Sequence, residues 1–202
     1  MLPKPDGSTI VALGDVSGKG LKAAMNVSMI VGVLRALAEA HANPGDIMKK
    51  LNRCLCGRLQ GGFTTCLILR LDTDGTVIFA NAGHLPPFLN RKEIMLEGSL
   101  PLGVVSSVYY GEEAIRLKPG DYLSLYTDGL LEARNSAGEL FGFERLHSLL
   151  SKRPSAQEAT EAAVTFGQDD DITVLTLTRL AEGEQSTTSM ITRFLEPSGS
   201  GR

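Results

Sequence analysis

The chain has 202 residues and a formal net charge of -3, and 43% of its residues are hydrophobic. This length suits one domain with a tail, and the hydrophobic content excludes a largely disordered chain. The nearly balanced charge gives no sign of a nucleic-acid partner or of an anionic membrane surface as a partner.

The predicted elements are short strands interrupted by two pairs of helices. Runs rich in strand formers, bounded by turn residues, predict strands over residues 8–13, 63–71, 76–80, 88–89, 94–96, 113–117, 122–126 and 172–180. Runs rich in helix formers predict helices over residues 21–42, 46–59, 140–151 and 156–166. Asp46 is the expected cap of the second helix.

The order of these elements predicts the fold class and the domain boundary. The first helical pair interrupts what is otherwise a meander of hairpins, which favours an antiparallel α+β sandwich over a parallel βαβ sheet. After residue 180 the composition turns polar. We therefore predict a single domain over residues 1–180 and a tail or linker over residues 181–202 that is disordered in part.

The glycine-rich stretch GDVSGKG, residues 14–20, follows an apolar run and resembles a phosphate-binding loop. A Walker A loop requires a glycine at the position of Leu13 and a serine or threonine at the position of Gly20. Neither position carries the required residue, which disfavours a nucleotide-binding enzyme. What remains is a strand that ends in the carboxylate of Asp15 beside a flexible turn.

Three aspartate sites share one design, in which a strand carries a carboxylate at its edge. They are Asp15 in LGDVSGKG, Asp128 in LYTDGLLE and the cluster at residues 169–171 ahead of ITVLTL. Turn chemistry explains any one of them, because aspartate is common in turns and caps. Three such sites without an adjacent lysine or arginine favour a bound cation, since carboxylates brought together repel each other. Oxygen ligands alone predict magnesium or manganese rather than zinc.

The cysteines and the apolar runs indicate the compartment. Cys54, Cys56 and Cys66 form no CxxC pair, which indicates buried thiols in a reducing compartment rather than disulfides or zinc ligands. No apolar run approaches the roughly 20 residues that span a bilayer, and the first residues show no secretion signal. We expect a cytoplasmic protein without a membrane partner.

Six motifs occur in a fixed order along the chain: GDVSGKG, FTTCLILRLD, NAGHLPPFL, PLG, LYTDGLLEARN and DDDITVLTL. Each is weak alone, but together the sequence resembles the PPM-type metal-dependent serine/threonine phosphatases. It is most similar to the bacterial subgroup typified by the stage II sporulation protein E and the sigma-B regulator phosphatases. The resemblance covers about residues 6–180.

The resemblance implies an αββα sandwich of two antiparallel sheets flanked by helices, with two magnesium or manganese ions held by aspartates at one edge. A water or hydroxide between the ions attacks the phosphorus of a phosphoserine or phosphothreonine. Asp15 matches the aspartate that bridges both ions, and Val16 would contribute its backbone carbonyl. Asp128 and Asp170 match the remaining ligands that this sequence retains.

Other polar residues near these motifs have two interpretations each. Lys19 either attracts the phosphorylated substrate or is a solvated loop residue. His84 is either a general acid or, as we favour, a structural histidine that bonds loop backbone. Asp171 is expected to bond local backbone. Eukaryotic relatives carry a histidine at the position of Ser17, so that acid is missing here.

One family motif is absent from the sequence. The family has an earlier aspartate motif of the form GGDFYD before the turn that matches residues 5–7, and nothing precedes Met1-Leu2 here. We therefore expect the sandwich to lack its first strand and one metal ligand, with weak metal occupancy and low activity. The alternative function is a catalytically weak or inactive phosphatase-fold module that binds a regulatory partner.

The resemblance also implies partners. The expected substrate is a serine-phosphorylated anti-sigma factor antagonist in a bacterial partner-switching stress pathway, and an upstream sensor or activator is expected to control the phosphatase. A sheet edge left unpaired by the missing strand makes a homodimer an option. Shifts of the helices over residues 21–59 are expected to position or withdraw the metal aspartates.

Overall fold

The computed structural model describes residues 1–59, 61–181 and 188–193. The chain divides into two compact units, one over residues 1–84 and 96–118 and the other over residues 85–95 and from 119 onward. Each unit contains helices and one five-stranded antiparallel sheet. The predicted α+β class with two antiparallel sheets is therefore confirmed.

Strands and helices follow one another along the chain without a regular alternation. They are β1 (Leu2–Pro3), β2 (Thr9–Val16), α1 (Leu21–Ala40), α2 (Pro44–Leu55), β3 (Thr64–Leu71), β4 (Thr76–Ala82), β5 (Phe88–Leu89), β6 (Lys92–Glu93), β7 (Glu113–Arg116), β8 (Tyr122–Tyr126), α3 (Asp128–Glu132), α4 (Gly142–Leu150), α5 (Ala156–Phe166), β9 (Ile172–Thr178) and β10 (Thr188–Arg193).

The first unit is built on the sheet with strand order β1-β2-β3-β4-β7. Helix α2 places apolar side chains at helical spacing, and these are fully buried: Ile47, Met48, Leu51 and Leu55. They form one core with sheet residues such as Ile10, Ile68 and Ala80. Burial of each large aliphatic side chain contributes about 2 kcal/mol, so this face fixes α2 on the sheet.

Helix α1 is far less buried than α2. Only Ile30 and Ala38 are buried along its length, and large apolar side chains such as Leu21 and Met25 are exposed. By length and composition alone the helix could cross a bilayer, with a mean hydropathy of 1.5 over an 18-residue window that is 11% buried. The expectation that no apolar run approaches this length was therefore wrong, because a few scattered charges do not offset its many small and aliphatic residues. A single such helix is weak evidence for a membrane.

The second unit is built on the sheet with strand order β10-β9-β8-β5-β6. Its helices α3, α4 and α5 share one core with this sheet. Tyr126 and Phe88 come from the sheet, Leu130 and Leu146 come from helices, and all four side chains are nearly inaccessible to solvent. The capping box of Ser155 and Glu158 begins α5, which leads directly into the loop before β9.

Some boundaries differ from the sequence predictions because local backbone chemistry decides them. Helix α2 begins at Pro44, and Asp46 lies in its first turn instead of capping it. Proline fits the first helical position because its fixed φ suits the helix and its missing N–H is not needed there. Strand β6 lies at Lys92–Glu93 rather than at residues 94–96.

Part of the predicted tail forms a strand. Strand β10 pairs with β9 in antiparallel register, with Thr188 opposite Leu177 and Arg193 opposite Ile172. The predicted domain end at residue 180 thus left out a segment of the second sheet. The physical reason is that the edge of β9 offers backbone groups to any segment with strand-forming residues. Residues 182–187 and 194–202 of the predicted tail lie outside the described residues.

Candidate functional site

Strand β2 carries the first predicted ligands at its C-terminal end, in the first unit. Asp15 lies opposite Thr65 of β3, and Val16 lies opposite Thr64. The chain is then held by Ser17, whose N–H donates to the Phe63 carbonyl at 3.0 Å. The Phe63 N–H donates in turn to Ser17 Oγ at 2.8 Å. Ser17 therefore anchors the turn that follows Asp15, and the Asp15 side chain is exposed.

His84 is held close to this strand end by two neighbours of the first unit. A hydrogen bond of 2.9 Å joins its Nδ1 to Thr65 Oγ1. Its backbone N–H donates to Asn81 Oδ1 at 2.8 Å, and Asn81 Nδ2 donates to the His84 carbonyl at 3.0 Å. His84 is only 7% exposed. The His84 ring therefore has a fixed orientation. It is hydrogen-bonded to Thr65, the residue that lies opposite Asp15 on the neighbouring strand.

Lys19 lies on the exposed loop between β2 and α1. Its exposure fits both interpretations of this residue, a substrate-attracting charge and a solvated loop side chain.

Asp128 is the first residue of α3 in the second unit, and Thr127 alone separates it from the end of β8. The buried Thr127 fixes its position, because the Thr127 N–H donates to the Thr173 carbonyl at 3.0 Å. The Thr173 N–H donates to Thr127 Oγ1, also at 3.0 Å. This double link ties the end of β8 to the start of β9. It places Asp128 beside the segment that carries Asp170 and Asp171.

The three consecutive aspartates before β9 have distinct surroundings. The Asp170 carboxylate accepts a hydrogen bond of 2.9 Å from the Asp171 N–H, and the Asp170 carbonyl accepts one of 3.1 Å from Gln168 Nε2. Asp169 forms an ion pair with Arg134, with 3.3 Å between Oδ2 and Nε. Asp170 is half-buried, whereas Asp169 and Asp171 are exposed.

Tyr126, the last residue of β8, carries a buried hydroxyl in the second unit. Tyr126 precedes Thr127 and is 1% exposed. Burial, and next the Glu93 carboxylate, raise the pKa of Tyr126 above its usual range.

The predicted ligands are of the chemical type that binds a hard divalent cation. Each unit offers oxygen donors at strand ends: Asp15 and the Val16 carbonyl in the first, and Asp128 and Asp170 in the second. Oxygen donors of this type suit magnesium or manganese. Over the described ranges, no group of three or more His, Cys, Asp and Glu side chains is assembled as a ready metal cluster. The assignment of these residues as ligands stays a prediction.

Sequence reasoning missed three residues that support the predicted ones. It gave no site role to Thr65, Thr127 or Arg134, which contact His84, Thr173 and Asp169, respectively. The signal that could have found Thr127 is its place at a strand end directly before Asp128, because a hydroxyl there can bond neighbouring backbone. Thr65 carries no such signal, since it faces Asp15 only through strand pairing. No local signal marks Arg134, whose partner lies 35 residues later in the sequence.

Three similarities to known proteins cover most of the chain. It is 30% identical over 195 residues to the phosphoserine phosphatase RsbU of Bacillus subtilis, spanning 87% of this chain and 57% of that protein. The solved RsbU and RsbW domains of a Mycobacterium tuberculosis protein share 25% identity with it at a TM-score of 0.76, over 86% of this chain and 52% of that chain. The SiaA PP2C domain of Pseudomonas aeruginosa shares the fold at 22% identity and a TM-score of 0.74, over 88% of this chain and 78% of that chain.

The family match is wider than any single motif. Residues 5–180 match the family described as stage II sporulation protein E, or SpoIIE. This range holds all six motifs and the strands from β2 to β9. The chain spans little more than half the length of RsbU. It belongs to the SpoIIE family, and residues 5–180 form its PP2C-type phosphatase domain.

Proposed function

We propose that this chain is a manganese- or magnesium-dependent protein phosphatase that hydrolyses phosphoserine or phosphothreonine on a regulatory protein. The observation that carries the proposal is the double link between Thr127 and Thr173, which ties the residue before Asp128 to the start of the strand that follows Asp170 and Asp171. Family membership supports the same activity.

The residues of this chain have separate tasks in the proposed reaction. Asp15, the Val16 carbonyl, Asp128 and Asp170 hold the metal ions. When bound, the ions supply the positive charge and the acidified water that phosphoester hydrolysis needs. Ser17 and Thr127 hold the aspartate-bearing backbone in place. The Thr65–His84 pair orders the chain next to the strand that carries Asp15, which supports the structural interpretation of His84.

The proposed substrate is a small anti-sigma factor antagonist phosphorylated on serine. The support is that one relative is a phosphoserine phosphatase and that another solved relative combines RsbU and RsbW domains. We place the protein in the cytoplasm, under the control of an upstream sensor or activator. The second candidate, an inactive module that binds a regulatory partner, is favoured by the lack of a ready three-ligand cluster among the described residues.

Phosphate release from a phosphoserine peptide separates these two functions. We expect activity with Mn²⁺ that chelation by EDTA abolishes and that excess Mn²⁺ restores. Asp128→Asn should lower the activity about 100-fold, because an amide binds the cation far more weakly than a carboxylate. Asp74→Asn is the control, since Asp74 is an exposed turn residue whose Oδ1 accepts from the Thr76 N–H, which an amide oxygen also does.

Equal activity in Asp128→Asn and Asp74→Asn would reject the metal-ligand role of Asp128. Peptide binding without any Mn²⁺-dependent phosphate release, at any metal concentration, would favour the inactive module.

A further inference from the structure

The loop that carries Asp170 is docked on the segment that follows Asp128. We call residues 168–171 the acidic loop and residues 128–135 the docking segment. At one end of the loop, Gly167 has a φ of 146°, and a Cβ on it would overlap the carbonyl oxygen of Arg134. The same Cβ would lie 2.7 Å from the Arg134 carbonyl carbon. Only glycine permits this close approach of the two backbones.

The other end of the acidic loop has the same kind of contact. A Cβ on Gly129 would overlap the carbonyl oxygen of Asp171 and would lie 2.9 Å from its carbonyl carbon. Both ends of the loop are therefore fixed by direct backbone contact with the docking segment. The residues between them, which include Asp170, have their orientation set by side-chain contacts.

Arg134 supplies a side-chain contact to the middle of the loop. Its Nε lies 3.3 Å from Asp169 Oδ2, and its NH1 group donates to the Gly138 carbonyl at 3.3 Å. The second bond restrains the guanidinium on the side away from the loop. The Arg134 and Asp169 side chains are 51% and 61% exposed, so their ion pair adds little to global stability.

The Arg134–Asp169 ion pair affects the charge and the orientation of the acidic loop. Asp169, Asp170 and Asp171 are consecutive, and three carboxylates within one loop repel one another. A guanidinium paired with Asp169 offsets one of the three charges and holds the residue before Asp170.

We propose that Arg134 is a positioning residue for the Asp170 carboxylate and so sets the affinity of the site for a divalent cation. The inference rests on the proposed function, because it assumes that Asp170 is a metal ligand. It differs from a substrate-binding role, in which Arg134 would leave Asp169 and contact the phosphate of the substrate.

The test compares Arg134→Gln, Arg134→Lys and the charge-swapped pair Arg134→Glu/Asp169→Arg with the wild-type chain. Arg116→Gln is the matched control, since Arg116 forms a similarly exposed ion pair with Asp74 in the other unit. The readouts are hydrogen exchange of residues 168–171 without metal, Mn²⁺ affinity by calorimetry, and KM for a phosphoserine peptide. Far-ultraviolet circular dichroism verifies that each variant is folded.

We expect Arg134→Gln to speed exchange in the acidic loop and to weaken Mn²⁺ binding about tenfold, as for other residues that orient metal ligands. Arg134→Lys and the charge-swapped pair should recover Mn²⁺ affinity to within about threefold of wild type, since both restore an opposite charge. KM should stay within about twofold of wild type, because an exposed pair acting on the metal ligand leaves substrate contacts intact.

Unchanged Mn²⁺ affinity in Arg134→Gln would overturn the inference, and so would a raised KM with unchanged Mn²⁺ affinity. Either result leaves the proposed function standing if Asp128→Asn still abolishes metal-dependent activity. Failure of the wild-type chain to bind Mn²⁺ would instead overturn the proposed function, and the inference with it.

Discussion

At the scale of single residues, the adjacent Thr64 and Thr65 on β3 have opposite surroundings. Thr65 Oγ1 bonds His84 Nδ1 at 2.9 Å. Thr64 Oγ1 is buried and has no hydrogen-bond partner within residues 1–59, 61–181 and 188–193. One hydroxyl therefore orients a ring near Asp15, whereas the other loses its hydration on folding without a replacement.

We expect Thr65→Val to lower the free energy of unfolding by about 1–2 kcal/mol, because it removes a partner of a buried ring nitrogen. Thr64→Val should leave it unchanged or raise it, since valine has a similar shape and no polar group to bury. Urea unfolding of both variants measures the difference, with Thr65→Ser as the variant that keeps the hydroxyl. Equal losses in Thr64→Val and Thr65→Val would contradict this assignment.

At the scale of elements, Asn52 links α2 to the loop between β6 and β7. Its side chain is 1% exposed. Asn52 Nδ2 donates to the Val105 carbonyl at 2.8 Å, and the Gly103 N–H donates to Asn52 Oδ1 at 2.9 Å. The loop backbone in turn pairs with β3 through Thr64 and Leu102. Asn52 thus connects α2, through this loop, to β3, the strand that pairs with the one carrying Asp15.

Asn52→Ala should lower the free energy of unfolding by about 2–4 kcal/mol, because it leaves a backbone donor and a backbone acceptor without their partner. Amide exchange at residues 101–106 should rise more than in the rest of the first unit. Lys49→Ala, an exposed change on the same helix, is the control. A uniform rise in exchange across the unit would mean that Asn52 supports the whole fold rather than this link.

The bounds of some helices and strands could be predicted from the sequence, and others could not. Strand β8 and helix α5 match the predicted bounds, because a proline-glycine turn starts the first and the Ser155–Glu158 capping box starts the second. Helix α3 was not predicted, since five residues are too short for a helical period. The placement of Asp128 beside the segment that carries Asp170 and Asp171 depends on the pairing of β8 with β9, which residue spacing alone does not reveal.

At the scale of the whole molecule, buried acids set the response to alkaline pH. Burial raises the pKa of the Cys66 thiol from 9.0 to about 12. Desolvation on burial is also the main cause that raises the pKa of Tyr110 and of Tyr122 from 10.0 to about 12. Between its unfolded and folded pKa, each group is deprotonated in the unfolded chain and protonated in the native one. Stability is therefore fully present below about pH 9 and falls as pH rises toward 12.

Between about pH 9 and pH 10, where Cys66 is the first of these groups to titrate in the unfolded chain, we expect its ionisation there to lower the free energy of unfolding by about 1 kcal/mol. Cys66→Ala should flatten this part of the curve, although it lowers the curve overall by creating a small cavity. Urea midpoints taken at several pH values measure the slope. An unchanged slope in Cys66→Ala would show that another group controls the alkaline loss.

The central claim is that carboxylates at the strand ends of this SpoIIE-family domain hold divalent cations for phosphoester hydrolysis. Calorimetric titration of the wild-type chain, Asp15→Asn and Asp170→Asn with Mn²⁺ tests it most directly. The account predicts saturable binding by the wild type and a loss of about tenfold or more in affinity for each variant. Binding that is equally strong in all three proteins would contradict it.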